Sequence, residues 1–492
     1  MKTASFTAKD FFLEDLPRTL FPLTTNKFLV EQGSEELLQF AERLIADNRS
    51  FLPQRRVHAN KDAIHLRRTV KLDPVAEFYL YHLVYKNRMK FRRPRGDDRV
   101  HFGYRFEDGR PVSPSLSYSE FRYAVAEANI YSEEFLYFDI SSYFNNIYHH
   151  DLHAWFSALK PADSNDVVAF GKFFRELNAG RSLDCLPHGL YPAKMIGNDF
   201  LRFIEDSSAI RAKKVLRFMD DIYLFGDRLA PLKADFAEAQ RILGLKGLSV
   251  NGSKTRTDGM PLTDHADEQI SELKKQLLRR RRRLIISHYD LEPSINKGNP
   301  PLNEREIKFI LSLLQDGNLS EDDAELIMIV MRDNISRIEQ HLHLFAKGFP
   351  HLAKNFYGLC FDAQNMDGVA NIVRDVILSD EYMSEYQLFW FGMMLESYLM
   401  DSRYASDIVN SLYKHPSATD ITRAKILEIP DHRYGLPEMR EGYLREGRSD
   451  WLAWSSAVGS RGMDKQARNY LLAYFKNGSD MNDLIAQIIQ KS

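Results

Sequence analysis

The chain has 492 residues, 44% of them hydrophobic and 27% charged, a length and balance that describe two or three globular domains and exclude a disordered or fibrous protein. Its two cysteines, Cys185 and Cys360, form no CxxC pair or Cys/His cluster, which excludes a disulfide framework or structural zinc and fits a reducing cytoplasm. The formal charge of −2 is unevenly spread: residues 1–290 hold 45 basic and 39 acidic side chains and residues 291–492 hold 21 and 29, so the capacity to meet phosphate lies early in the chain.

The opening MKTASFTAKDFFLEDLP carries acids and no apolar run, and does not read as a signal peptide. SEELLQFAERLIAD (34–47) predicts an amphipathic helix with Ser34 as its N-cap. A basic tract follows from Lys61 to Arg99, and EDGRPVSPSLS (107–117) predicts a loop or hairpin. FLYFDI (135–140) reads as a short buried strand ending in an acid. LHAWFSAL, VVAFGKFFREL and the segment from Tyr191 to Asp206 read as helices. KVLRFMDDIYLFG (214–226) has the outline of a β-hairpin, and FAEAQRILGLKGLSVNGSKT (236–255) that of helix, turn and strand. Beyond 260 the character changes. SELKKQLLRRRRRLIIS (271–287) predicts a strongly basic helix, EPSINKGNPPLNE (292–304) a linker, and the rest a series of helices of about 10–15 residues with short breaks, as stacked helical hairpins have. No stretch is long enough to cross a bilayer; LFWFGMMLESYLM (388–400) is too short and carries Glu396.

One constellation carries chemistry. Adjacent acids such as Asp220 and Asp221 are commonly solvated turn residues, but here apolar residues flank them on both sides. Carboxylates forced into a half-buried place repel each other unless a cation neutralises them. Asp139, ending a second apolar strand, supplies a third carboxylate. Three carboxylates on adjacent strand ends can hold two Mg²⁺ ions, which activate a hydroxyl nucleophile and stabilise a leaving pyrophosphate.

The order of these pieces resembles the reverse-transcriptase family. FDISSYF matches its first palm motif, LPHGLYPAKMIGNDFL (186–201) its second, FMDD its third and GLSVNGSKT (247–255) its fourth, all within about 120 residues. The resemblance implies an α+β right-hand polymerase, with fingers and palm, followed by an all-α HEAT-like helical-repeat domain. Residues 1–130 would be the N-terminal and fingers region, 131–260 the palm, 261–300 a basic thumb-like helix and linker, and 301–492 the helical domain. It implies Asp139, Asp220 and Asp221 as catalytic residues and, with the main-chain carbonyl of Ile140, as ligands of two Mg²⁺ or Mn²⁺ ions. Lys61, Arg67, Arg68, Phe144, His188 and Lys254 fall where the family binds the dNTP. Phe144 is placed to exclude a ribose 2′-hydroxyl, or simply packs in the core. The five arginines 279–283 either contact a nucleic-acid backbone or neutralise the acidic C-terminal part.

His188 departs from the glutamine usual in the second motif, which puts ordinary template copying in doubt. With the helical tail, this looks like the abortive-infection reverse transcriptases of bacteria and temperate phages. Membership implies a cytoplasmic homo-oligomer (trimer or hexamer) that makes single-stranded DNA from dNTPs without a template and attached to a protein side chain, with Tyr104 or Ser5 as candidate primer. A conventional RNA-templated enzyme of retron type and a non-catalytic scaffold that kept the palm are the alternatives.

Overall fold

The structure is a computed structural model that describes residues 6–92, 96–161, 163–183, 186–258, 272–284, 301–315, 319–379 and 382–491. In chain order it opens with α1 (Ala8–Asp15) and α2 (Thr24–Ala46), the antiparallel hairpin β1 (Arg55–Asn60) and β2 (Leu66–Lys71), and α3 (Pro74–Lys86). Then come β3 (Arg99–Phe102), the short pair β4 (Phe106–Glu107) and β5 (Arg110–Pro111), α4 (Pro114–Ile130), β6 (Glu134–Asp139), α5 (His149–Ala158), α6 (Asn165–Leu177) and α7 (Tyr191–Phe200). β7 (Lys214–Phe218), β8 (Asp221–Gly226) and α8 (Leu229–Gly244) follow. The remainder is helical: α9 (Glu272–Leu284), α10 (Glu304–Gln315), α11 (Glu321–Val330), α12 (Leu342–Gly348), α13 (Ala353–Cys360), α14 (Met366–Ser379), α15 (Glu385–Met394), α16 (Ala405–Lys414), α17 (Asp420–Leu427), α18 (Leu436–Glu446), α19 (Trp451–Gly459), α20 (Lys465–Phe475) and α21 (Asp480–Lys491). The fold is thus α+β with a helical C-terminal region, and no described residue after 301 lies in a strand.

The chain divides into two compact units. The first gathers residues 1–15, 41–54 and 76–270 around a four-stranded sheet of order β3-β7-β8-β6, in which β3 runs parallel to β7 and the other pairs are antiparallel. Both sheet faces are covered, which is why β6 and β8 carry unbroken apolar and aromatic runs, Phe135–Phe138 and Ile222–Phe225, between their ends rather than alternating. Phe121 of α4 packs on Phe218 and Tyr223 on one face; Phe236 of α8 packs on Phe138 on the other. The first part of the turn-rich stretch forms the β4–β5 hairpin, where Asp108 and Gly109 both take positive φ, as a tight two-residue hairpin turn demands; its end, from Pro114, is helix α4 instead of loop. The segment after Gly247 is less regular than its sequence predicts. In place of a continuous strand pairing, the isolated bridges Ile140–Val250 and Tyr137–Arg256 tie its backbone to the edge of β6, with a 3-10 turn, Gly252–Lys254, between them.

The second unit takes residues 16–40, 55–75 and 271–492. Its helices pack on their next-but-one neighbours: α11 on α13, α13 on α15, α15 on α17, α17 on α19 and α19 on α21, with α12 on α14 and α14 on α16. This is the layering of a helical stack, in which each hairpin buries its apolar face on the next. Helix α2 begins ten residues before the predicted start at Ser34. Gly33 kinks it instead of breaking it, and a Cβ there would lie 2.5 Å from Ile488 Cδ1 of α21. The true N-terminus is capped from afar: Glu428 accepts from the backbone N–H of Thr24 at 2.9 Å and of Thr25 at 2.6 Å. Glu428 and Glu396 are in turn neutralised by the fully buried Lys425. The basic α9 answers the acidic helices: Lys274 pairs with Asp323 at 2.6 Å, Arg281 with Glu325 at 2.5 Å and Arg280 approaches Glu306 at 3.6 Å. The linker proposed at 292–304 lies largely outside the described residues. No described helix is long and apolar enough to cross a membrane.

Lys425→Met would strand the buried Glu428 and the half-buried Glu396 without their cation. A loss of about 3–5 kcal/mol in urea unfolding is expected, with Lys425→Arg losing less; a Met variant as stable as the parent would show that the pair is not what secures α2.

Candidate active site

Period-2 alternation places Asp139, Tyr137 and Phe135 on one face of β6 and Asp221, Tyr223 and Phe225 on the same face of β8, because Asp139 and Asp221 are direct cross-strand partners. Like charges directly opposite one another are destabilising in a sheet. Phe218 pairs with Asp221 in turn, so β7 and β8 are joined by two residues, Met219 and Asp220. The tight turn puts Asp220 beside the other two acids. Asp139 is buried and Asp220 and Asp221 half-buried.

The electrostatics follow from this crowding. Burial, then the charges of Asp221 and Asp139, push the Asp220 carboxyl up to about 7. Burial raises Asp221 as well, against the pull of the Tyr137 hydroxyl, which donates to its Oδ1 at 2.5 Å. Lys254 Nζ lies 3.1 Å from Asp139 Oδ2. Although burial alone would lower its pKa, the three carboxylates, Asp139 first, hold the ammonium above its ordinary value. Asn251 donates its backbone N–H to the Asp139 carbonyl at 2.7 Å. Thus the fourth motif, barely a strand, still delivers Lys254 and Asn251 to Asp139.

Among the described residues no three acidic, histidine or cysteine side chains already close around one point as a finished ion cage would; Lys254 and Tyr137 hold oxygens of Asp139 and Asp221 instead. The donor set nevertheless fits a hard divalent cation. It is all oxygen, it is anionic, and the single Lys254 ammonium offsets only part of the repulsion among three carboxylates. Asp139, Asp220 and Asp221, with the Ile140 carbonyl, are the groups that would hold it.

The turn itself depends on residues with no motif to announce them. Met219 has φ of 57°, a left-handed conformation that costs a non-glycine residue about 1–2 kcal/mol. Arg217, completely buried, donates to the Met219 carbonyl at 2.9 Å, to the Asn198 carbonyl at 2.8 Å and to Glu205 Oε1 at 2.6 Å. The Asn198 side-chain oxygen accepts from the Met219 N–H at 3.3 Å. This guanidinium fork ties α7 to the carboxylate turn.

The second motif shapes the neighbouring wall. Gly189, at φ +91°, makes the turn into α7, and the half-buried His188 packs its ring 4.8 Å from that of Phe144. Phe144 is 6% exposed. It follows Ser142, whose left-handed φ of 48° turns the chain after β6, and it lies against α7, where a Cβ on Gly197 would come within 2.6 Å of its Cε1. Tyr143 donates to the Gly197 carbonyl at 2.7 Å. The helix glycine therefore makes the seat for this ring.

Asp139, Asp220, Asp221 and Lys254 are brought together, and Phe144 packs with His188. Tyr104 is buried in the same unit, its ring 4.8 Å from that of Tyr191 and 6.4 Å from that of Phe218. Lys61, Arg67 and Arg68 lie on the β1–β2 hairpin, in the second unit: Arg67 stands opposite Ala59, Arg68 opposite His58, and Lys61 opens the turn. Ser5 lies outside the described residues.

No protein-family model matches the chain, and no curated protein does. Among solved structures, a telomerase from Candida albicans, determined in complex with the TWJ fragment of telomeric RNA, is similar at 10% sequence identity and a TM-score of 0.30, covering 76% of this chain and 64% of that one. The chain thus spans less than two thirds of that protein's length, and a likeness of this size carries no argument about activity.

Two outcomes are expected. Arg217→Met should cost about 3–5 kcal/mol in urea unfolding, since it leaves Glu205 buried and unpaired; stability equal to the parent's would refute the clamp. Millimolar Mg²⁺ or Mn²⁺ should raise the melting temperature of the parent and leave that of an Asp139→Asn/Asp220→Asn variant unmoved. An equal rise in both would place the ion elsewhere.

Proposed function

We propose that this protein is a nucleotidyltransferase of the reverse-transcriptase type. The observation that carries the reading is the cross-strand pair Asp139–Asp221 with Asp220 in the adjoining two-residue turn, a carboxylate cluster whose repulsion a divalent cation would relieve. With two Mg²⁺ or Mn²⁺ bound, the site would gain the Lewis acidity that activates a hydroxyl nucleophile and neutralises the departing pyrophosphate. The chain's own residues supply the rest. Asp139, Asp220 and Asp221 hold and orient the charge, and Tyr137 and Asn251 fix two of them. Lys254, an ammonium kept protonated by its acidic neighbours, is suited to meet a triphosphate oxygen or give the leaving group a proton. Phe144, set on Gly197 and His188, presents bulk to the sugar C2′, and Lys61, Arg67 and Arg68 suit triphosphate oxygens.

Within that class the reading is a template-independent, protein-primed DNA polymerase acting in abortive infection against phage, as a homo-oligomer. His188 in place of glutamine and the engagement of Lys274, Arg280 and Arg281 by acidic side chains both favour it. A polymerase that tracks a long duplex draws affinity from many Lys and Arg contacts to phosphate, and these cations are already neutralised. The packing of Tyr104 among aromatic rings means that, as a primer, it would have to leave its place.

Asp220→Asn is expected to abolish nucleotide incorporation while the protein stays folded; incorporation at the parent's rate would sink the assignment. Phe144→Ala should admit ribonucleotides, and a parent enzyme indifferent to the sugar would show that Phe144 is no gate. Incubated with dNTPs and metal alone, the protein should carry label that only protease digestion releases. Label that requires template-primer and migrates free of protein would instead support the conventional, RNA-templated reading.

A further inference from the structure

Helix α4 turns Ser117, Phe121, Val125 and Ala128 into the core of the first unit. Its outward face is not the charged surface such a helix ordinarily shows to water. Leu116, Tyr123 and Ile130 stand seven residues apart and are 51%, 73% and 77% exposed, and Glu120 and Glu127 fall between them. With 3.6 residues per turn, these five side chains lie within a band about 80° wide on the side away from the core. Single exposed apolar residues are ordinary. Three in one line, each about 10 Å from the next along the axis, form the seam that one helix offers another.

A groove of about 540 Å³ lies beside this seam and shares Glu120, Tyr123 and Glu127 with it. Its other side is the edge strand β3, where Val100 and Phe102, two residues apart, present their side chains on one face of the sheet. The charge of the groove is one-sided, with Asp97, Glu120 and Glu127 against Lys214 alone. Glu120 is partly engaged, since it accepts from the buried Arg105 guanidinium at 2.7 Å. Asp97 is exposed and Glu127 half-buried, which leaves the negative field of the groove largely theirs.

That charge selects the occupant. Two copies of α4 packed along the seam, in either direction, would set Glu120 and Glu127 against the same two acids, and like charges brought together across an interface oppose association. A helix with an apolar residue at every seventh position and lysine or arginine between would cover Leu116, Tyr123 and Ile130 and bring its cations to Glu127 and Asp97. We propose that the outer face of α4, with the groove beside it, docks a basic amphipathic helix of a partner protein. The inference is independent of the polymerase reading.

Two fluorescein-labelled synthetic peptides of three heptads serve as probes, both with leucine at every seventh position, one with lysine and the other with glutamate at the positions between. Titrated into the full-length protein, the lysine peptide is expected to saturate one site per chain and to bind at least tenfold more tightly than the glutamate peptide. Tyr123→Ser/Ile130→Ser, which removes exposed side chains, should weaken the lysine peptide at least tenfold with the melting temperature unchanged. Glu127→Lys should weaken the lysine peptide about tenfold and tighten the glutamate peptide. Absence of a saturable site, equal affinity for the two peptides, or unchanged lysine-peptide binding in either folded variant would each overturn the proposal. So would sedimentation showing that Tyr123→Ser/Ile130→Ser breaks up an assembly the parent forms, because the occupant would then be a second copy of the chain. Should one variant fail to fold, the other and the two-peptide comparison still decide.

Discussion

Two carboxylates that stand directly opposite one another on neighbouring strands are an arrangement a sheet should avoid. Here Asp139 and Asp221 do so, and a third acid is delivered by the tightest possible turn between β7 and β8. Much of the first unit can be understood as what is needed to tolerate that concentration of charge. The Tyr137 hydroxyl and the Lys254 ammonium each answer one acid. The aromatic layers over both sheet faces keep the strands from sliding to a less repulsive register, because a one-residue slip would move every ring to the opposite face and away from the partners it packs on. Arg217, fully buried, helps offset the strain of the turn at Met219 by donating to the Met219 carbonyl while its other donors are held by Asn198 and Glu205.

The parts of this architecture that were legible in the sequence are those written in local pattern. FLYFDI and FMDD state both the strands and their charged ends, since an apolar run that terminates in an acid has few other uses. The turn at Asp108–Gly109 and the succession of helices after residue 301 are equally local. What the sequence conceals is held by distance. Nothing around Arg217, Asn198 or Glu205 distinguishes them from ordinary strand and helix residues, and only the fold brings them to one carbonyl. Ser34 looks like a helix cap because it is a serine at the head of an amphipathic run; the actual cap, Glu428, is some four hundred residues away. The GLSVNGSKT segment reads as a strand, yet its role is met by two bridges and a 3-10 turn, which suffice to place a lysine and an asparagine.

The arginine run 279–283 illustrates how composition alone leaves a charge's purpose open. A basic helix following a palm invites a nucleic-acid reading, but Arg280 and Arg281 face Glu306 and Glu325, so for these two the acidic partner is within the same chain. The uneven charge of the two halves is thereby partly internal bookkeeping between α9 and the helices it packs on. The surplus that remains for phosphate is correspondingly smaller than the sequence count suggests.

The two compact units are interleaved in sequence: the chain passes from one to the other after residues 15, 40, 54, 75 and 270. For a protein made from its N-terminus, this sets an order of events. The residues 16–40 and 55–75 leave the ribosome long before the helices that bury them exist, so Leu23, Leu29, Val30 and Leu37, all buried in the finished protein, wait uncovered while more than two hundred further residues are synthesised. The Thr24–Thr25 helix end likewise waits for Glu428. Synthesis of the helices after residue 270 is therefore the step that covers those early segments, and a ribosome that stops among them releases a chain in which the first unit has all its pieces and the second does not.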